Sequence, residues 1–290
     1  MSATKVPVDV DGKRLVLTNL DKVLYPETGF TKGQVLDYYS RVAPVLLPHL
    51  AGRPLTVKRY PDGVEGQSFF EKNTPKHAPE WVRTVRLPAP GSTKGREEID
   101  YRLVDDLAGL VWTAQLEAGE LHTPQWRVGP RGGVHDPDLL VVDLDPGPPA
   151  SIVECCRVAL LVREHLDLEV FAKTSGSKGM QLACRAPGAD TSAVARALAE
   201  ALERAEPDLV VSRMTKALRP GKVLVDWSQN NPAKTTVSVY SLRARPLQTV
   251  STPVTWDEVE ACRAPEDLRF TTDDVLARVE EHGDLWAALA

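Results

Sequence analysis

The chain has 290 residues, of which 42% are hydrophobic and 26% charged, and its formal net charge is −5. This composition is typical of a folded globular protein and excludes a disordered, collagen-like or coiled-coil chain. The sequence has no apolar signal region and no run of about 18 apolar residues, so we expect a cytoplasmic protein with no membrane partner. The spacing of the 4 cysteines fits neither a disulfide framework nor a zinc site, so we expect reduced, buried thiols.

The first half of the chain is predicted to combine short strands with two helices. Hydrophobic residues at helical spacing predict a helix over 32–50, with Thr31 as its N-cap, and Pro44 is expected to end or kink it. A second helix is predicted over 105–119. Alternating patterns and turn residues predict strands over 16–20, 54–61 and 67–73, and a loose hairpin over 82–101.

Strands and helices alternate from residue 138 onward. The pattern predicts strands over 138–147, 168–176, 179–186 and 221–230. It predicts helices over 150–166 and 191–205, and short helices in the tail from residue 255. Such alternation is typical of an α/β layer, in which a small sheet has helices behind it and functional loops at the strand ends.

Positive charge is concentrated in one stretch, where 7 Lys and Arg residues between Arg213 and Arg245 accompany a single Asp. From residue 255 onward, 10 acidic residues accompany only 3 arginines, so the acidic tail masks a local basic region. A region of this kind suits a phosphate-bearing ligand. A solvated charged surface is the alternative interpretation.

Two aspartates, Asp143 and Asp145, follow an apolar run and precede Pro146 and Gly147. Residues two apart on a strand share a face, so both carboxylates are expected to project together. A hard divalent cation would relieve their repulsion and would keep coordination positions for water and phosphate oxygens. The alternative is a pair of turn aspartates at a strand end, because the motif is short.

Asp226 adds a third carboxylate within the apolar stretch 223–227. A lone carboxylate there would be unfavourable unless it were paired or bound to a metal. An Asp pair on one strand and a single Asp on another is the arrangement that two-metal phosphoryl transfer requires. The three aspartates therefore favour that chemistry.

The segment 173–179, K-T-S-G-S-K-G, lies between two predicted strands. Its glycines free backbone N–H groups to face an anion, and Lys178 adds a positive charge. The spacing is not that of a Walker A motif, and a strand rather than a helix follows. A tight polar hairpin is the alternative. Further candidate phosphate contacts, each of which is otherwise a surface residue, are Arg219, Lys222, Gln229 and Arg243.

Together these motifs resemble the polymerase/primase domain of bacterial ATP-dependent DNA ligase D, a member of the archaeo-eukaryotic primase superfamily. The resemblance rests on D-L-D-P-G at 143–147, T-S-G-S-K-G at 174–179, V-D-W-S-Q-N at 225–230 and K-T-T-V-S-V-Y-S-L-R-A-R-P at 234–246. It covers nearly the whole chain, from L-T-N-L-D-K near the start to D-L-W near the end.

The resemblance implies an α/β (α+β) primase-type fold in a single domain, either a stand-alone protein or one excised part of a larger one. Its small central sheets would be flanked by helices. We expect residues 1–137 to contact the DNA end and template, 138–250 to form the catalytic part, and 251–290 to form a helical tail.

The activity implied is template-dependent addition of ribo- or deoxynucleotides to 3′ ends in bacterial non-homologous end joining. Asp143, Asp145 and Asp226 would be catalytic and would bind two divalent ions, Mn²⁺ or Mg²⁺. The partners would be gapped or broken DNA with a 5′-phosphate and nucleoside triphosphates, with Ku and a DNA ligase as candidate partners. The protein would then be associated with the nucleoid.

The same resemblance assigns binding residues. The nucleotide-binding residues implied are His122, Ser175, Lys178, Gln181, Arg219, Gln229, Arg243, Lys58, Phe69 and Phe70. The residues implied for the DNA 5′-phosphate are Asn19, Lys22 and Lys32. Adjacent residues on a strand point to opposite faces, so only one of the two phenylalanines is expected to stack on any one base.

One position departs from the family pattern, because Gln181 stands where the family usually carries a His two residues after the loop glycine. An amide can donate a hydrogen bond but cannot carry a proton or a positive charge. Two alternatives to the polymerase interpretation stay open. One is a catalytically weak module that binds 5′-phosphate DNA ends, and the other is a haloacid-dehalogenase-like phosphatase that uses the D-L-D motif.

Overall fold

The structure is a computed structural model, and it describes residues 5–89, 95–186, 188 and 190–290. Residues 90–94, where the predicted hairpin over 82–101 turns, lie outside the described residues. The described helices are α1 (Lys32–Leu50), α2 (Leu107–Gln115), α3 (Ile152–His165), α4 (Thr191–Ala205), α5 (Trp256–Ala261) and α6 (Thr272–His282).

The strands of the amino-terminal part are short and form hairpins and ribbons. They are β1 (Lys5–Val10), β2 (Lys13–Thr18), β3 (Val23–Tyr25), β4 (Phe30–Thr31), β5 (Thr56–Arg59), β6 (Phe69–Glu71), β7 (Thr84–Pro88), β8 (Glu98–Arg102) and β9 (Ala118–Thr123). The strands of the second half are β10 (Leu139–Pro146), β11 (Phe171–Thr174), β12 (Met180–Arg185), β13 (Val210–Val211), β14 (Val223–Asp226), β15 (Thr236–Val237) and β16 (Pro253–Val254).

Two larger sheets organise the fold. A six-stranded sheet has the order β13-β14-β10-β12-β11-β16, and a four-stranded sheet has the order β15-β9-β5-β6. The pairs β1–β2, β3–β4 and β7–β8 form separate two-stranded ribbons. Within the six-stranded sheet β13 and β14 pair in parallel, whereas the other neighbours are antiparallel. The mixed α/β architecture agrees with the predicted fold class.

The central strand β10 separates two hydrophobic cores. Its residues Leu140, Val142 and Leu144 pack with α3 and α4, whereas Val141 belongs to the other core, which α1 and α2 share. Because side chains alternate along a strand, Asp143 lies on the same side as Val141. The helices therefore cover one face of β10 and leave the aspartates on the other.

The helix α1 begins as expected but does not end where proline suggested. Thr31 is its N-cap and forms a capping box with Gln34. Pro44 does not end the helix, which was one of the two outcomes expected there, because the helix continues through Pro44 and Pro48 to Leu50. Burial of its apolar face offsets the hydrogen bonds that the prolines cannot make.

Local interactions explain why two of the predicted elements end earlier than expected. The helix predicted over 105–119 ends at Gln115, and Glu117 has a positive φ of 58° that turns the chain into β9. The strand predicted over 221–230 ends at Asp226, because the carboxylate of Asp226 accepts a hydrogen bond from the Ser228 N–H and caps a short 3₁₀ turn.

All four cysteines are buried and free, as predicted from their spacing. In the described part of the chain, no helix combines the length and the hydrophobicity that crossing a bilayer requires.

Candidate active site

Four polar residues form one row across adjacent strands of the six-stranded sheet. Lys173 on β11 is the register partner of Gln181 on β12, Gln181 is the partner of Asp143 on β10, and Asp143 is the partner of Asp226 on β14. Register partners on neighbouring strands have side chains on the same face. The antiparallel pairing thus places Asp226 beside Asp143, although 83 residues separate them in the chain.

Asp143 is the centre of this acidic group. Burial, together with the carboxylates of Asp226 and Asp145, raises the pKa of Asp143 to about 6, against a hydrogen bond from Gln181 and the charge of Lys173. The Gln181 Nε2 donates to Asp143 Oδ1 at 3.0 Å. Burial is the larger cause of this shift, and the two neighbouring carboxylates add to it.

The other two carboxylates are held by different partners. Asp145 lies 3.1 Å from the Lys178 ammonium and 3.7 Å from the Arg219 guanidinium. Asp226 accepts hydrogen bonds from the Ser228 N–H and from Gln229 Nε2, at 3.0 and 2.8 Å. As the described side chains stand, no three His, Cys, Asp or Glu residues among them are arranged to hold a metal ion.

The chemistry of the three aspartates nevertheless suits a hard divalent cation. Carboxylate oxygens are the ligands that Mg²⁺ and Mn²⁺ prefer, and a cation would compensate the charge that raises the pKa of Asp143. Asp145 would have to exchange its contacts with Lys178 and Arg219 for such an ion. The two cationic side chains would then be free to face an anionic ligand.

The loop between β11 and β12 folds around the Ser175 hydroxyl. Its Oγ accepts hydrogen bonds from the Gly179 and Ser177 N–H groups at 3.2 and 3.3 Å, and the Ser175 N–H donates to the Gly179 carbonyl at 2.9 Å. The Arg243 guanidinium donates to the Ser175 carbonyl, and Arg245 contacts the Ser177 hydroxyl. The loop is therefore a tight hairpin, as the alternative interpretation held, and it also carries Lys178 to the aspartates.

Gly179 is required where this loop enters β12. A Cβ at Gly179 would lie 2.2 Å from the Leu144 carbonyl oxygen, which belongs to the backbone and cannot move aside. We expect Gly179→Ala to lower the free energy of unfolding by about 1–3 kcal/mol and to weaken nucleotide binding. Chemical denaturation and nucleotide titration measure both effects. Gly133→Ala is the matched control, because a Cβ at Gly133 meets nothing within 4 Å; equal stability of the two variants would contradict the prediction.

A second wall of the site comes from the four-stranded sheet. His122 on β9 lies against Phe70 on β6 with ring centroids 5.4 Å apart, and the Lys58 ammonium lies 5.5 Å from the Phe70 ring. Phe69 instead lies beside Arg59. The phenylalanines are 42% and 54% exposed, so neither is a core residue, and Phe70 is the one that adjoins His122.

Glu120 links this wall to the loop that carries Arg243. Its buried carboxylate lies 2.9 Å from His122 Nε2 and 3.4 Å from Arg243 Nε, and it accepts hydrogen bonds from Tyr60 and the Ala244 N–H. Burial opposes ionisation, but these partners outweigh it and keep the pKa of Glu120 well below its usual range. The pKa of His122 is lowered, because the effect of its burial exceeds the opposing effect of the Glu120 carboxylate.

One open cleft, with a volume of about 330 Å³, gathers most of the predicted residues. Those that line it are His122, Asp143, Asp145, Ser175, Lys178, Gln181, Arg219, Asp226, Gln229 and Arg243. Lys58 and Phe70 adjoin the cleft through His122. The cleft thus has an acidic floor and a basic rim, which suits a polyanion bound through cations.

The residues predicted to bind a 5′-phosphate form a separate group. The Lys22 and Lys32 ammonium groups lie 3.2 and 3.5 Å from the same Glu117 carboxylate oxygen, Oε1. The Asn19 carbonyl accepts a hydrogen bond from the Lys22 N–H, and the Lys22 carbonyl accepts one from the Lys32 N–H. The structure therefore brings the two lysines together, around a carboxylate that the sequence analysis did not single out.

Three functional candidates were missed from the sequence: Glu117, Glu120 and Lys173. Glu120 could have been found, since it is two residues before His122 and so shares its face of a strand. Lys173 was considered only as part of the loop. Its pairing with Gln181 depends on the β11–β12 register, which the sequence does not state.

Comparison with known proteins agrees with this geometry. Residues 31–286 match the family described as LigD, primase-polymerase domain. The chain belongs to this family. The LigD primase-polymerase domain has an archaeo-eukaryotic primase fold, and the family consists of metal-dependent nucleotidyltransferases. The fold and family inferred from the motifs are therefore confirmed, and the family assignment favours a polymerase over a phosphatase.

Several LigD proteins are similar to the chain. It is 45% identical over 285 residues to the multifunctional non-homologous end joining protein LigD of Mycolicibacterium smegmatis, covering 96% of the chain and 36% of that protein. It is 31% identical over 278 residues to the bifunctional LigD of Bacillus subtilis, covering 93% of the chain and 43% of that protein. The chain thus spans less than half the length of these LigD relatives.

A solved LigD structure has the same fold. The polymerase domain from Mycobacterium tuberculosis ligase D, in complex with DNA, superposes with a TM-score of 0.87 at 43% sequence identity. The match covers 95% of this chain and 98% of that one.

Proposed function

We propose that the chain is a template-dependent polymerase that extends 3′ ends at gaps and breaks in DNA, using ribo- or deoxynucleoside triphosphates, in bacterial non-homologous end joining. The observation that carries the proposal is the register of β10 and β14, which pairs Asp143 with Asp226 beside the basic rim of one cleft. The names of the LigD relatives and the DNA in the solved LigD structure support the end-joining role.

Asp143, Asp145 and Asp226 would hold two divalent ions, which supply Lewis-acid activation of the 3′-hydroxyl and charge neutralisation on the phosphates. The side chains of Lys178, Arg219, Arg243 and Gln229 would bind and orient the triphosphate. Fixed cations at the rim need no reorganisation when negative charge develops on the departing pyrophosphate. Phe70, whose ring meets that of His122 edge-on, would offer a sequence-tolerant surface for a base.

The decisive experiment is extension on a gapped duplex. With Mn²⁺ and nucleotides we expect added nucleotides complementary to the template, and more extension when the downstream strand carries a 5′-phosphate. Binding of the phosphorylated gap without any extension would instead indicate the end-binding module. Release of phosphate from a simple phosphomonoester would indicate a phosphatase. Running ribo- and deoxynucleotides in parallel establishes which the enzyme prefers.

A ligase and Ku are the partners that the end-joining role implies. The ligase is suggested further by the relatives, because the chain is similar to only one part of proteins named as multifunctional or bifunctional. The chain would then work at DNA ends in the nucleoid. Addition of purified Ku to the gapped-DNA assay tests this: the expected result is more extension at low DNA concentration, and no change would argue against the partnership.

The lysine group is proposed to bind the 5′-phosphate, and Glu117 should oppose that binding. The Lys32 side chain is only 2% exposed, and its ammonium group lies 3.5 Å from Glu117 Oε1, so a phosphate must compete with this carboxylate for the lysine. We expect Glu117→Gln to tighten binding of 5′-phosphorylated gapped DNA about five- to tenfold, because one repulsive charge is removed.

Fluorescence anisotropy measures this effect on DNA with a 5′-phosphate and on DNA with a 5′-hydroxyl, and binding of the hydroxyl form should not change. Lys22→Met is the matched control and should abolish the preference for phosphate. Weaker binding by Glu117→Gln would show the opposite role, in which Glu117 holds the two lysines in place.

A further inference from the structure

Lys173 is a buried cation whose hydrogen bonds all go to uncharged groups. Its ammonium donates to Gln181 Oε1 and Ser251 Oγ at 2.6 Å each, and to the Val237 carbonyl at 3.1 Å. The residue is 2% exposed. Burial, followed by the charge of Arg243, lowers the pKa of Lys173 to about 7, which shows that the protein disfavours the charge here.

The ammonium group determines how the Gln181 amide is oriented. When Lys173 is charged it can only donate, so the Gln181 Oε1 then faces Lys173 and the Nε2 faces the other neighbour. That neighbour is Asp143, whose Oδ1 accepts from Nε2 at 3.0 Å. Without Lys173, an amide reversed by 180° would turn its oxygen toward the Asp143 carboxylate and repel it.

We infer that Lys173 is a positioning residue for the nucleotidyl-transfer site, acting through Gln181 to fix the Asp143 carboxylate. The inference rests on the proposed function. It deepens that function by giving Gln181 a structural task that does not require contact with the nucleotide, since both ends of its amide are already bonded within the protein.

Stability alone does not account for a lysine at this position. Replacing a buried charge by an apolar side chain of similar volume is often neutral or stabilising. The Ser251 hydroxyl also donates to the Thr174 carbonyl at 3.0 Å, so it keeps a partner if Lys173 is removed. Among its three hydrogen bonds, the one to Gln181 alone leads to the acidic row.

The test is a double-mutant cycle with Lys173→Met, Gln181→Met and the combined variant. Each single variant should lower kcat about 10–100-fold, as loss of a group that orients a catalytic ligand does. The nucleotide KM should stay within about twofold, because the triphosphate contacts remain. The combined variant should be no slower than the worse single variant, since both changes remove one chain of hydrogen bonds.

A second measurement does not depend on activity. In metal-free protein, the side-chain amide of Gln181 can be assigned by NMR from the signal lost in Gln181→Met. Its hydrogen exchange should be at least tenfold faster in Lys173→Met than in the wild type. Ser251→Ala is the matched control, because it removes another partner of Lys173 and leaves the bond to Gln181; it should change neither the exchange nor kcat by more than about threefold.

Additive losses in the cycle, or an unchanged Gln181 signal with wild-type kcat in Lys173→Met, would overturn the inference. If Lys173→Met does not fold, Gln181→Glu decides, because its carboxylate pairs with Lys173 but cannot donate to Asp143. Wild-type kcat in that variant would overturn the inference, and a loss of at least tenfold would support it. If the wild-type protein extends no primer, the proposed function fails, whereas the exchange measurement still tests the positioning of Gln181.

Discussion

Asp143→Asn is expected to lower the rate of primer extension at least about a thousandfold, equivalent to about 4 kcal/mol of lost transition-state stabilisation. Asp143 lies between Gln181 and Asp226 in the row and two residues before Asp145, so it is the central carboxylate of the three. Asparagine has the same shape and still accepts the hydrogen bond from Gln181. The substitution therefore removes the charge and leaves the local packing intact.

Folding and DNA binding should survive this change. Burial and acidic neighbours raise the pKa of Asp143, so at neutral pH its ionised carboxylate lowers the stability of the folded protein relative to the unfolded chain. The substitution removes that unfavourable charge, and the melting temperature should not fall. Single-turnover extension and anisotropy with gapped DNA measure the two properties. Asp167→Asn, on the exposed surface after α3, is the control; equal extension rates in both variants would refute the assignment of Asp143 to the ions.

Asp138→Ala is expected to lower the free energy of unfolding by about 3–5 kcal/mol. The Arg53 guanidinium is 1% exposed and forms two hydrogen bonds with the Asp138 carboxylate, at 2.8 and 2.7 Å. Arg127 Nε donates to the same carboxylate at 2.9 Å. Removing Asp138, which immediately precedes β10, would leave Arg53 buried without its counter-charge.

Urea denaturation of the wild type, Asp138→Ala and the double variant Arg53→Met/Asp138→Leu measures this loss of stability. The double variant should recover much of the loss, because it buries no charge. Burial opposes ionisation of Asp138, but hydrogen bonds from Arg53 and Arg127 outweigh it and lower its pKa. A carboxylate whose pKa is lowered by folding stabilises the protein at pH values above its ordinary pKa, and this stabilisation is lost as the carboxylate is protonated in acid. The difference in free energy of unfolding between wild type and Asp138→Ala should therefore shrink below about pH 4.

The helices and longer strands of the second half could be predicted from the sequence because the hydrophobic residues of each element recur at a single spacing, either that of a helix or that of a strand. The helix predicted over 191–205 is α4 (Thr191–Ala205), and the strand predicted over 138–147 is β10 (Leu139–Pro146). Short strands were harder: β3, β4, β15 and β16 have only two or three residues each. Two or three residues contain too little alternation of polar and apolar side chains to indicate a strand. These short strands form because a neighbouring strand offers hydrogen-bond partners.

The acidic residues could be picked out from the sequence, but their partners could not. Apolar flanks singled out Asp226, which the structure leaves half-buried, whereas its contact with Gln229 and its register with Asp143 are properties of the folded sheet. Glu117 is a case of the same kind, because its role depends on a positive φ at the end of α2. Charge and spacing identify residues whose side chains could bind or react, and the tertiary structure decides which of them come into contact.

The alternation along β10 limits how this protein can change by insertion or deletion. Leu140, Val142 and Leu144 fill the helix-covered core while Asp143 and Asp145 face the cleft. Adding or deleting one residue ahead of Leu140 would turn the two carboxylates toward the helices and the three apolar side chains toward the face that carries the cleft. Length variants among descendants of this chain should accordingly fall outside β10, in surface loops such as the one that precedes it, whereas single substitutions on the strand remain accessible.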